Sequence, residues 1–271
     1  MQEDRFKYTP KDIQESIRYS QDGQAEHTRD YRMMWQWGNS ISYDKAFGNH
    51  KINALFSTST SRIDRDYTYA TGKGYGADRY NYYNIGMNYK TAERSIGSDF
   101  TTSTLMSYVL RANYNYADKY LLTATARFDG SSKFAKANRW GAFPSFTAAC
   151  NVSQEDCMKE QNIFSQLKLR VGYGMVGNQA IDDYSFYTLY DVGLEDGKAS
   201  YKPRGRRGTE DITWESQRQI NVGLDMGFLN GRITASIDGF LIKNKNLLMV
   251  RSLPLTSGFS TAYDNIGAIN N

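Results

Sequence analysis

Residues 105–151 read LMSYVLRANYNYADKYLLTATARFDGSSKFAKANRWGAFPSFTAACN and contain two strictly alternating segments separated by a short turn. The apolar positions are Tyr108, Leu110, Ala112, Tyr114 and Tyr116 in the first segment, and Tyr120, Leu122, Ala124, Ala126 and Phe128 in the second. Polar residues such as Arg111, Thr123 and Arg127 stand between them. Because successive side chains of a strand point to opposite faces, this pattern predicts a hairpin with one apolar and one polar face, turning at Ala117–Lys119.

The same alternation recurs along the rest of the chain. Further strands are predicted at Tyr31–Tyr43, Lys51–Ser59, Gly141–Ser153, Lys168–Gly174, Glu215–Phe228 and Arg232–Ile242. Asn230-Gly231, between the last two, is the strongest short hairpin signal in the chain. The segments of the central hairpin are about ten residues long, which exceeds the usual strand of roughly five or six and matches a tilted bilayer crossing.

The predicted connections alternate in length. The short ones are Asp44–His50, Ala117–Lys119, Gln154–Gln166 (with a helical piece) and Asn230–Gly231, and the long ones are Thr60–Thr104, Gly130–Arg139, Met175–Thr213 and Lys243–Ile266. Short turns therefore lie at one end of the strands and long loops at the other, which is the asymmetry of outer-membrane barrels.

Two segments do not fit the pattern of crossing strands. Met1–Arg29 is polar and charged, and it is predicted as loop with one short helix at Lys11–Arg18. The long Thr60–Thr104 connection contains an alternating patch, Tyr83, Ile85, Met87 and Tyr89. If this patch were a crossing, the turn at Ala117–Lys119 would fall on the long-loop side, so we expect the patch to lie outside the membrane.

The composition agrees with a transmembrane barrel. The 271 residues are 40% hydrophobic, and a low hydrophobic content is expected where half of each strand faces a wet lumen. Aromatic residues make up 14% of the chain, as expected if their rings form girdles at both membrane interfaces. A Tyr-rich soluble β-protein remains the alternative. The chain has no apolar run long enough for a membrane helix, and its mild net charge of +4 argues against a nucleic-acid partner.

The chemical motifs are weak. Gly172–Gly177 matches GxGxxG after a strand, but no helix pattern follows it, so a strand end is preferred over a dinucleotide site. His27 and His50 have no partners at metal-ligand or triad spacing. Cys150 and Cys157 are separated by a turn and are interpreted as small apolar fillers, with a disulfide as the alternative.

Charged residues allow two interpretations each. Lys198–Arg207 is a basic loop that suits an anionic glycan or a lipopolysaccharide phosphate, with a solvated loop as the default. Six charged residues lie on polar strand faces: Arg111, Arg127, Lys168, Arg170, Asp225 and Asp238. In a barrel they point into the lumen, where cross-strand pairing is preferred over a substrate path.

The two chain ends predict a fragment. The first residues, MQEDRFKYTP, are charged and contain no apolar stretch of a signal peptide, which an outer-membrane protein requires. This start predicts either a cytosolic protein or a fragment. The final residues, GAINN, begin a further alternating segment, and this favours the fragment.

Four ordered blocks carry a family resemblance. They are NYNYADKYLLTATARFDGSSKFAKANRWGAFPS (113–145), LKLRVGYGMVGNQ (167–179), TWESQRQINVGLDMGFLNGRITASIDGFLIKNKNLL (213–248) and LPLTSGFSTAYDNIGAINN (253–271). Together they resemble the barrel of SusC/RagA-type TonB-linked outer-membrane proteins of Bacteroidetes. Residues before Leu105 are similar only in their strand and loop pattern. The resemblance implies that residues 1–271 are part of an all-β, antiparallel transmembrane β-barrel with about eight crossing strands and long extracellular loops, without the plug domain, the signal peptide and the final barrel strands.

The implied function is transport across the cell outer membrane. In this family, a SusD-like surface lipoprotein captures a glycan or peptide nutrient, and the TonB complex, which contacts a part absent from this chain, opens the plug. The resemblance implies no catalytic residue, no cofactor and no metal, and it assigns no substrate-binding residue. The alternatives are a soluble or secreted carbohydrate-binding β-sandwich and, third, an enzyme on a β scaffold. The loop aromatics Trp140, Tyr187 and Trp214 fit sugar stacking and interface anchoring equally well.

Overall fold

The chain is built from β-strands over the residues that the computed structural model describes, 2–10, 23–75, 78–88, 93–158 and 163–271. The strands are β1 (Gln2–Thr9), β2 (Gln24–Phe47), β3 (His50–Lys73), β4 (Arg94–Tyr116), β5 (Tyr120–Ser131), β6 (Trp140–Asn151), β7 (Phe164–Asn178), β8 (Tyr190–Glu195), β9 (Lys198–Pro203), β10 (Arg206–Arg207), β11 (Glu215–Phe228), β12 (Ile233–Lys245), β13 (Leu248–Ser252), β14 (Thr261–Asn265) and β15 (Ala268–Asn270). Within the same ranges, no helix has the length and apolar character needed to cross a membrane.

Ten of these strands form one sheet, in the order β1-β2-β3-β4-β5-β6-β7-β11-β12-β15. Its neighbours in space are neighbours along the chain, and their hydrogen bonding is antiparallel. Two small sheets, β8-β9 and β10-β14-β13, come from the long connections that follow β7 and β12. The predicted all-β, antiparallel class is confirmed. A sandwich of two large facing sheets does not fit this arrangement.

The predicted central hairpin is present between β4 and β5, with its reversal at residues 117–119. Leu110 lies opposite Ala126 on the apolar face, and Arg111 lies opposite Thr125 on the polar face. Ala117 and Asp118 in the turn both have positive φ angles, 54° and 58°, as in the two-residue turns that match the twist of paired strands. The two-residue periodicity therefore predicted both the faces and the register.

The alternation of short and long connections is confirmed except after β6. The short connections are residues 48–49, 117–119 and 229–232, and the long ones are 74–93, 132–139, 179–214 and 246–267. Residues 152–163, predicted as a short connection, are 12 residues long and exceed the 8 residues of 132–139. The connection after β6 contains two 3₁₀ turns, Val152–Gln154 and Asp156–Met158, where a helical piece was predicted. The patch around Tyr83 forms no crossing strand, because Ile85–Met87 is a 3₁₀ turn; Tyr89 lies outside the described residues.

The prediction was wrong where strands are polar on both faces. Residues 60–73 and 94–104 were predicted as loop, but β3 runs to Lys73 and β4 begins at Arg94. Residues 2–9 and 24–29 were also predicted as loop and are β1 and the start of β2. These segments carry charged or hydroxylated side chains on both faces, so they lack the apolar period that marks a half-buried strand. The helix predicted at Lys11–Arg18 lies outside the described residues.

The chain divides into two compact units, of which the first comprises residues 1–35 and 61–103. Its centre is a charged network between β2 and β3. Asp30 accepts two hydrogen bonds from Arg65, of 3.0 and 2.8 Å, and two longer ones from Arg32. These bonds hold the pKa of the Asp30 carboxyl well below its usual range. Hydrogen bonds from Thr102 and Arg62 likewise lower the pKa of Asp64.

The second unit comprises residues 36–60 and 104–271, and its buried core lies among the long connections. The core consists of Phe134, Phe143, Ile181, Ile212, Trp214 and Tyr263. The Trp214 ring packs against Phe134 at 5.0 Å and edge-on against Phe143 at 5.4 Å. The main sheet itself is thin, and large apolar residues on its apolar face remain exposed, for example Leu110 at 52% and Val222 at 50%.

Aromatic residues cluster at the short-turn end of the apolar face. His50 stacks on Phe47 at 5.1 Å and contacts Tyr116 at 4.9 Å, and its Nδ1 lies 2.7 Å from the Tyr114 hydroxyl. Tyr120 continues the cluster by stacking on Tyr116. This cluster forms one edge of a band of exposed apolar side chains.

A second aromatic cluster lies at the long-connection end of the same face. Trp140 stacks on Tyr108 at 5.9 Å and covers Gly130, where a Cβ atom would come within 2.8 Å of the indole ring. Phe128 is paired with Tyr108 in the sheet. Along β5, roughly 27 Å of strand separates Phe128 from Tyr120 of the first cluster. This spacing is of the order of the ~25 Å apolar band between the two aromatic girdles of a membrane barrel.

Candidate functional site

The polar face of the sheet carries a charged network that joins β7, β11 and β12. Arg170 donates two hydrogen bonds of 2.8 Å to Asp225, one from Nε and one from Nη2. The same Nη2 reaches Asp238 at 3.0 Å and Ser236 at 3.3 Å. Ser236 in turn donates to Asp225 at 2.6 Å. A single guanidinium thus connects three strands, and the predicted cross-strand pairing of Arg170, Asp225 and Asp238 is confirmed.

Glycine makes this network possible. Gly223 lies opposite both Arg170 and Asp238 in the sheet register. A Cβ atom at this position would come within 2.5 Å of the Asp238 carboxylate and 2.8 Å of the Arg170 guanidinium. The missing side chain therefore lets the guanidinium pass over the middle strand.

The other charged residues of this face pair more locally than predicted. Arg127 bonds to Asp129 on its own strand, at 2.9 and 2.7 Å. Arg111 donates to the Thr125 hydroxyl at 3.3 Å. Lys168 lies opposite Asp225 in the register. Arg111, Arg127 and Arg170 thus each have a hydrogen-bond acceptor, and Lys168 has a carboxylate opposite it.

A second polar ladder crosses β2, β3, β4 and β5 near the short turns. Asn53 donates to Asp44 at 2.5 Å, Asn113 donates to Asn53 at 2.8 Å, and Thr123 donates to Asn113 at 2.8 Å. Amides suit such a ladder because each can donate and accept at once. Both networks give the face a hydrogen-bonding surface with mostly paired charges. We assign the two networks no chemical step.

The aromatic residues singled out in the sequence have three different environments. Trp214 is buried at 8% exposure in the core, and its indole N–H donates to the Arg139 carbonyl at 3.0 Å, so it stabilises the fold. Trp140 belongs to the aromatic cluster on the apolar face. Tyr187 is 57% exposed and packs against Phe186 with ring centroids 4.2 Å apart. Of these three residues, Tyr187 alone offers a free ring surface among the long connections.

The basic segment Lys198–Arg207 forms β9 and β10, and much of its positive charge is compensated. Three of its five cations are paired with carboxylates: Lys202 with Glu195, Arg204 with Asp191 and Arg206 with Asp182, at 2.8, 2.7 and 2.5 Å. The bond from Arg206 lowers the pKa of Asp182, and the bond from Lys202 lowers that of Glu195. These ion pairs favour the solvated loop over the anion site among the two interpretations of this segment.

The remaining motifs lie in ordinary structural positions. The whole GxGxxG match, Gly172–Gly177, is inside β7, so it forms no phosphate-binding loop. Cys150 and Cys157 are free; Cys150 is half-buried on the apolar face, but Cys157 is exposed, so the filler interpretation is wrong for Cys157. Among the described residues, no group of three or more His, Cys, Asp or Glu side chains is placed to hold a metal ion.

Comparison with protein families gives one match along nearly the whole chain. Residues 2–271 match the model of the TonB dependent receptor-like β-barrel. TonB-dependent receptor SusC of Bacteroides thetaiotaomicron is 33% identical over 249 residues, which cover 89% of this chain and 24% of SusC. TonB-dependent receptor P26 of Formosa agariphila is 32% identical over 241 residues, which cover 88% of this chain and 24% of P26. The chain thus spans about a quarter of the length of these relatives, and neither name denotes an enzyme.

Solved structures show the same fold. The RagAB peptide transporter superposes with a TM-score of 0.81 at 24% identity, covering 93% of this chain and 28% of the matched chain. The RagAB peptide importer in its open-open state gives 0.80 at 23% identity, covering 99% and 29%. At these identities the similarity concerns the fold.

Proposed function

This chain belongs to the TonB-dependent receptor β-barrel family, and on that premise we propose that it forms part of the wall of a transporter that imports a glycan or peptide nutrient. It is an outer-membrane β-barrel protein of the SusC/RagA type. The observation that carries the proposal is the family match over residues 2–271. The chain spans about a quarter of the length of each relative, so transport by a whole receptor is part of the proposal.

The two faces of the sheet border different environments in the proposed barrel wall. Exposed apolar residues between the two aromatic clusters face lipid, where no water is available to solvate polar groups. The opposite face borders the lumen and carries the Arg170 network and the Asn53–Asn113 ladder. The two networks line the lumen with hydrogen-bond donors and acceptors. Such a surface suits the passage of nutrients that are rich in hydroxyl or amide groups.

Two partners follow from the proposal. The names of the relatives include dependence on TonB, and we assign energy coupling to the TonB complex acting through a plug outside these residues. We assign capture of the nutrient to a SusD-like surface lipoprotein. The hairpin β8–β9 supports a protein partner on the long-connection side, because Val192, Leu194 and Tyr201 on its apolar face are 67–80% exposed.

Growth and uptake experiments test the transport role. A strain that lacks the receptor is expected to lose growth on one glycan or peptide source while growth on its monomers is kept. Uptake by the wild type is expected to stop when TonB is removed or the proton gradient is collapsed. Unchanged growth on every oligomeric nutrient, or uptake that is independent of TonB, would contradict the proposal.

A further inference from the structure

A cavity of about 240 Å³ lies among the long connections. Its walls come from three segments that are distant in the sequence, residues 183–189, 204–206 and 260–261. The volume is below the roughly 300–1,000 Å³ of sites that enclose a drug-sized ligand. The cavity therefore accommodates one ring or one residue of a longer molecule.

Backbone contacts hold the cavity walls together in the absence of a ligand. The N–H of Arg204 donates to the Leu189 carbonyl at 3.0 Å, and the N–H groups of Ser260 and Thr261 donate to the Gly205 carbonyl at 2.7 and 3.2 Å. These bonds connect all three segments. The site is thus largely formed before binding, which lowers the entropic cost of binding.

Two further features fix the wall formed by residues 183–189. Gly208 packs so closely that a Cβ atom would lie 2.3 Å from the Tyr187 carbonyl carbon, and its N–H donates to the Thr188 hydroxyl at 3.0 Å. Tyr184 has a φ of 60°, which is uncommon for a residue with a side chain. Such a conformation persists only where the surroundings hold it, and it is frequent at binding sites.

The cavity lining contains one buried acceptor and one buried donor without hydrogen bonds. Asp183 Oδ1 has no hydrogen-bond partner, and its nearest cation, the Lys133 ammonium, is 3.8 Å away. Arg206 Nε is also buried without an acceptor. A buried polar group without a hydrogen bond is unfavourable, so a ligand that supplies the missing partners is stabilised by these two atoms.

The charges around the cavity favour a neutral ligand. Arg204 is paired with Asp191, and Arg206 is paired with Asp182 through another nitrogen, Nη1. Asp183 has the Lys133 ammonium beside it. No cation or carboxylate of the lining is thus left without a counter-charge. One acceptor, Asp183 Oδ1, and one donor, Arg206 Nε, still lack hydrogen bonds. Two neighbouring hydroxyl groups of a ligand are able to bond to both atoms.

We propose that this cavity binds one neutral sugar ring, with vicinal hydroxyl groups bonded to Asp183 Oδ1 and Arg206 Nε and a face of the ring packed on Tyr187. The exposed Tyr187 ring, supported from behind by Phe186, has the flat apolar surface that sugar C–H groups contact. The proposal that a sugar binds here depends only on the cavity. Its role as a first contact for an imported glycan rests on the transport function proposed above.

Ligand titration of the intact receptor in detergent tests the assignment. The probes are the methyl glycosides of glucose, galactose, mannose and xylose, with trialanine as the peptide probe, followed by saturation-transfer NMR and calorimetry. At least one glycoside is expected to bind in the millimolar range, and Tyr187→Ala is expected to weaken it roughly three- to tenfold. Tyr83→Ala, an exposed tyrosine outside the cavity whose ring also packs on an aromatic neighbour, Tyr82, is the matched control and should leave binding unchanged.

Further variants separate the possible outcomes. Arg206→Lys removes the buried Nε–H but keeps the charge, and it should weaken glycoside binding by a similar factor. Binding of trialanine but of no glycoside, binding of none of the probes, or glycoside binding that Tyr187→Ala leaves intact overturns the assignment. If the wild-type receptor binds the glycoside but takes up no glycan that contains it, the transport function is contradicted and sugar binding at the cavity is not. If uptake persists in a variant that no longer binds the glycoside, the cavity has no role in import.

Discussion

Arg170 on β7 donates a hydrogen bond of 3.0 Å to Asp238 on β12, although β11 lies between these two strands. The contact passes over Gly223, the residue of β11 that faces both partners. Asp225 on β11 shares the same guanidinium. The negative charges of two carboxylates on neighbouring strands are therefore compensated by a single guanidinium.

Replacement of this cation should weaken the pairing of three strands together. We expect Arg170→Gln to lower the free energy of unfolding by less than the loss of a buried ion pair would, because the network is partly exposed and screened by water. In Arg170→Gln/Asp225→Asn, part of this cost should be recovered, since one of the two facing negative charges is gone. Urea unfolding of the receptor in lipid vesicles measures both values. Equal stability of the wild type and Arg170→Gln would mean that the network contributes nothing.

The faces of β5 predict opposite outcomes for the same substitution at adjacent positions. Leu122→Arg places a charge on the lipid-facing side and should cost about 2–4 kcal/mol and impair assembly. Leu224→Arg on β11 should behave in the same way. Thr123→Arg faces the lumen and should be tolerated better, although it loses the hydrogen bond to Asn113. The folded fraction in outer-membrane preparations gives the comparison. Equal tolerance at Leu122 and Thr123 would argue against the assigned faces.

The Asp30 network makes the first unit sensitive to acid. The pKa of Asp30 is lowered in the folded protein by hydrogen bonds from Arg65 and Arg32. Its contribution to stability is therefore present above the unfolded-state pKa of about 4 and is lost as the pH falls further toward the folded-state pKa. Asp30→Asn should destabilise β2 and β3 by about 1 kcal/mol at neutral pH and by less near pH 3.

Hydrogen exchange of β2 and β3 at the two pH values measures this difference. Asp66→Asn is the matched control, because Asp66 is an exposed carboxylate of β3 with no ion pair in the described part of the chain. A difference between wild type and Asp30→Asn that stays constant between pH 7 and pH 3 would be inconsistent with the network.

Two tryptophans near the long-connection end should respond differently to truncation. Trp214→Ala removes a buried ring from the core and should destabilise the long connections by about 3–5 kcal/mol. Trp140→Ala removes a half-exposed ring from the aromatic cluster and should cost less. Limited proteolysis within residues 179–214 of the assembled receptor provides the readout. Faster cleavage in Trp140→Ala than in Trp214→Ala would contradict the assigned positions.

The 271-residue chain on its own should not behave as a soluble monomer. Its apolar face would meet water in place of lipid, and the edge strands would expose unpaired backbone groups. Both features favour aggregation. Size-exclusion chromatography with light scattering after detergent-free purification tests this expectation. A sharp monomer of 30.9 kDa with a cooperative melt would be the contrary result.

Sequence periodicity predicted the membrane-spanning part of the sheet because burial in lipid imposes it. β11 was predicted at its observed ends, Glu215–Phe228, since Ile220, Val222 and Leu224 alternate with polar residues. The outer parts of β2, β3 and β4 were missed for the opposite reason. There Asp30 and Arg65 pair on one face while Arg62 and Asp64 pair on the other, so neither face is apolar and no period remains.

The charged networks and the cavity could not be predicted from the sequence. The sequence placed Arg170 and Asp238 on the polar face, but their contact depends on the register that brings Gly223 between them. The cavity combines residues 183–189, 204–206 and 260–261, and no spacing in the sequence signals that the last segment folds back onto the first two. Tyr187 was singled out as a loop aromatic, whereas Asp183 had no distinguishing feature.

The order of strands in the sheet also has a consequence for the route of folding. Because each strand of the sheet pairs with its neighbours along the chain, assembly is able to advance by adding one hairpin after another. The free-energy cost of closing a loop grows only with the logarithm of its length, so joining β7 to β11 across residues 179–214 costs about 2 kcal/mol more than the turn at 117–119. We therefore expect the β4–β5 hairpin to form early and the β7–β11 ladder to form late. Growth of the sheet would then pause at the connection 179–214, which supplies two of the three walls of the cavity.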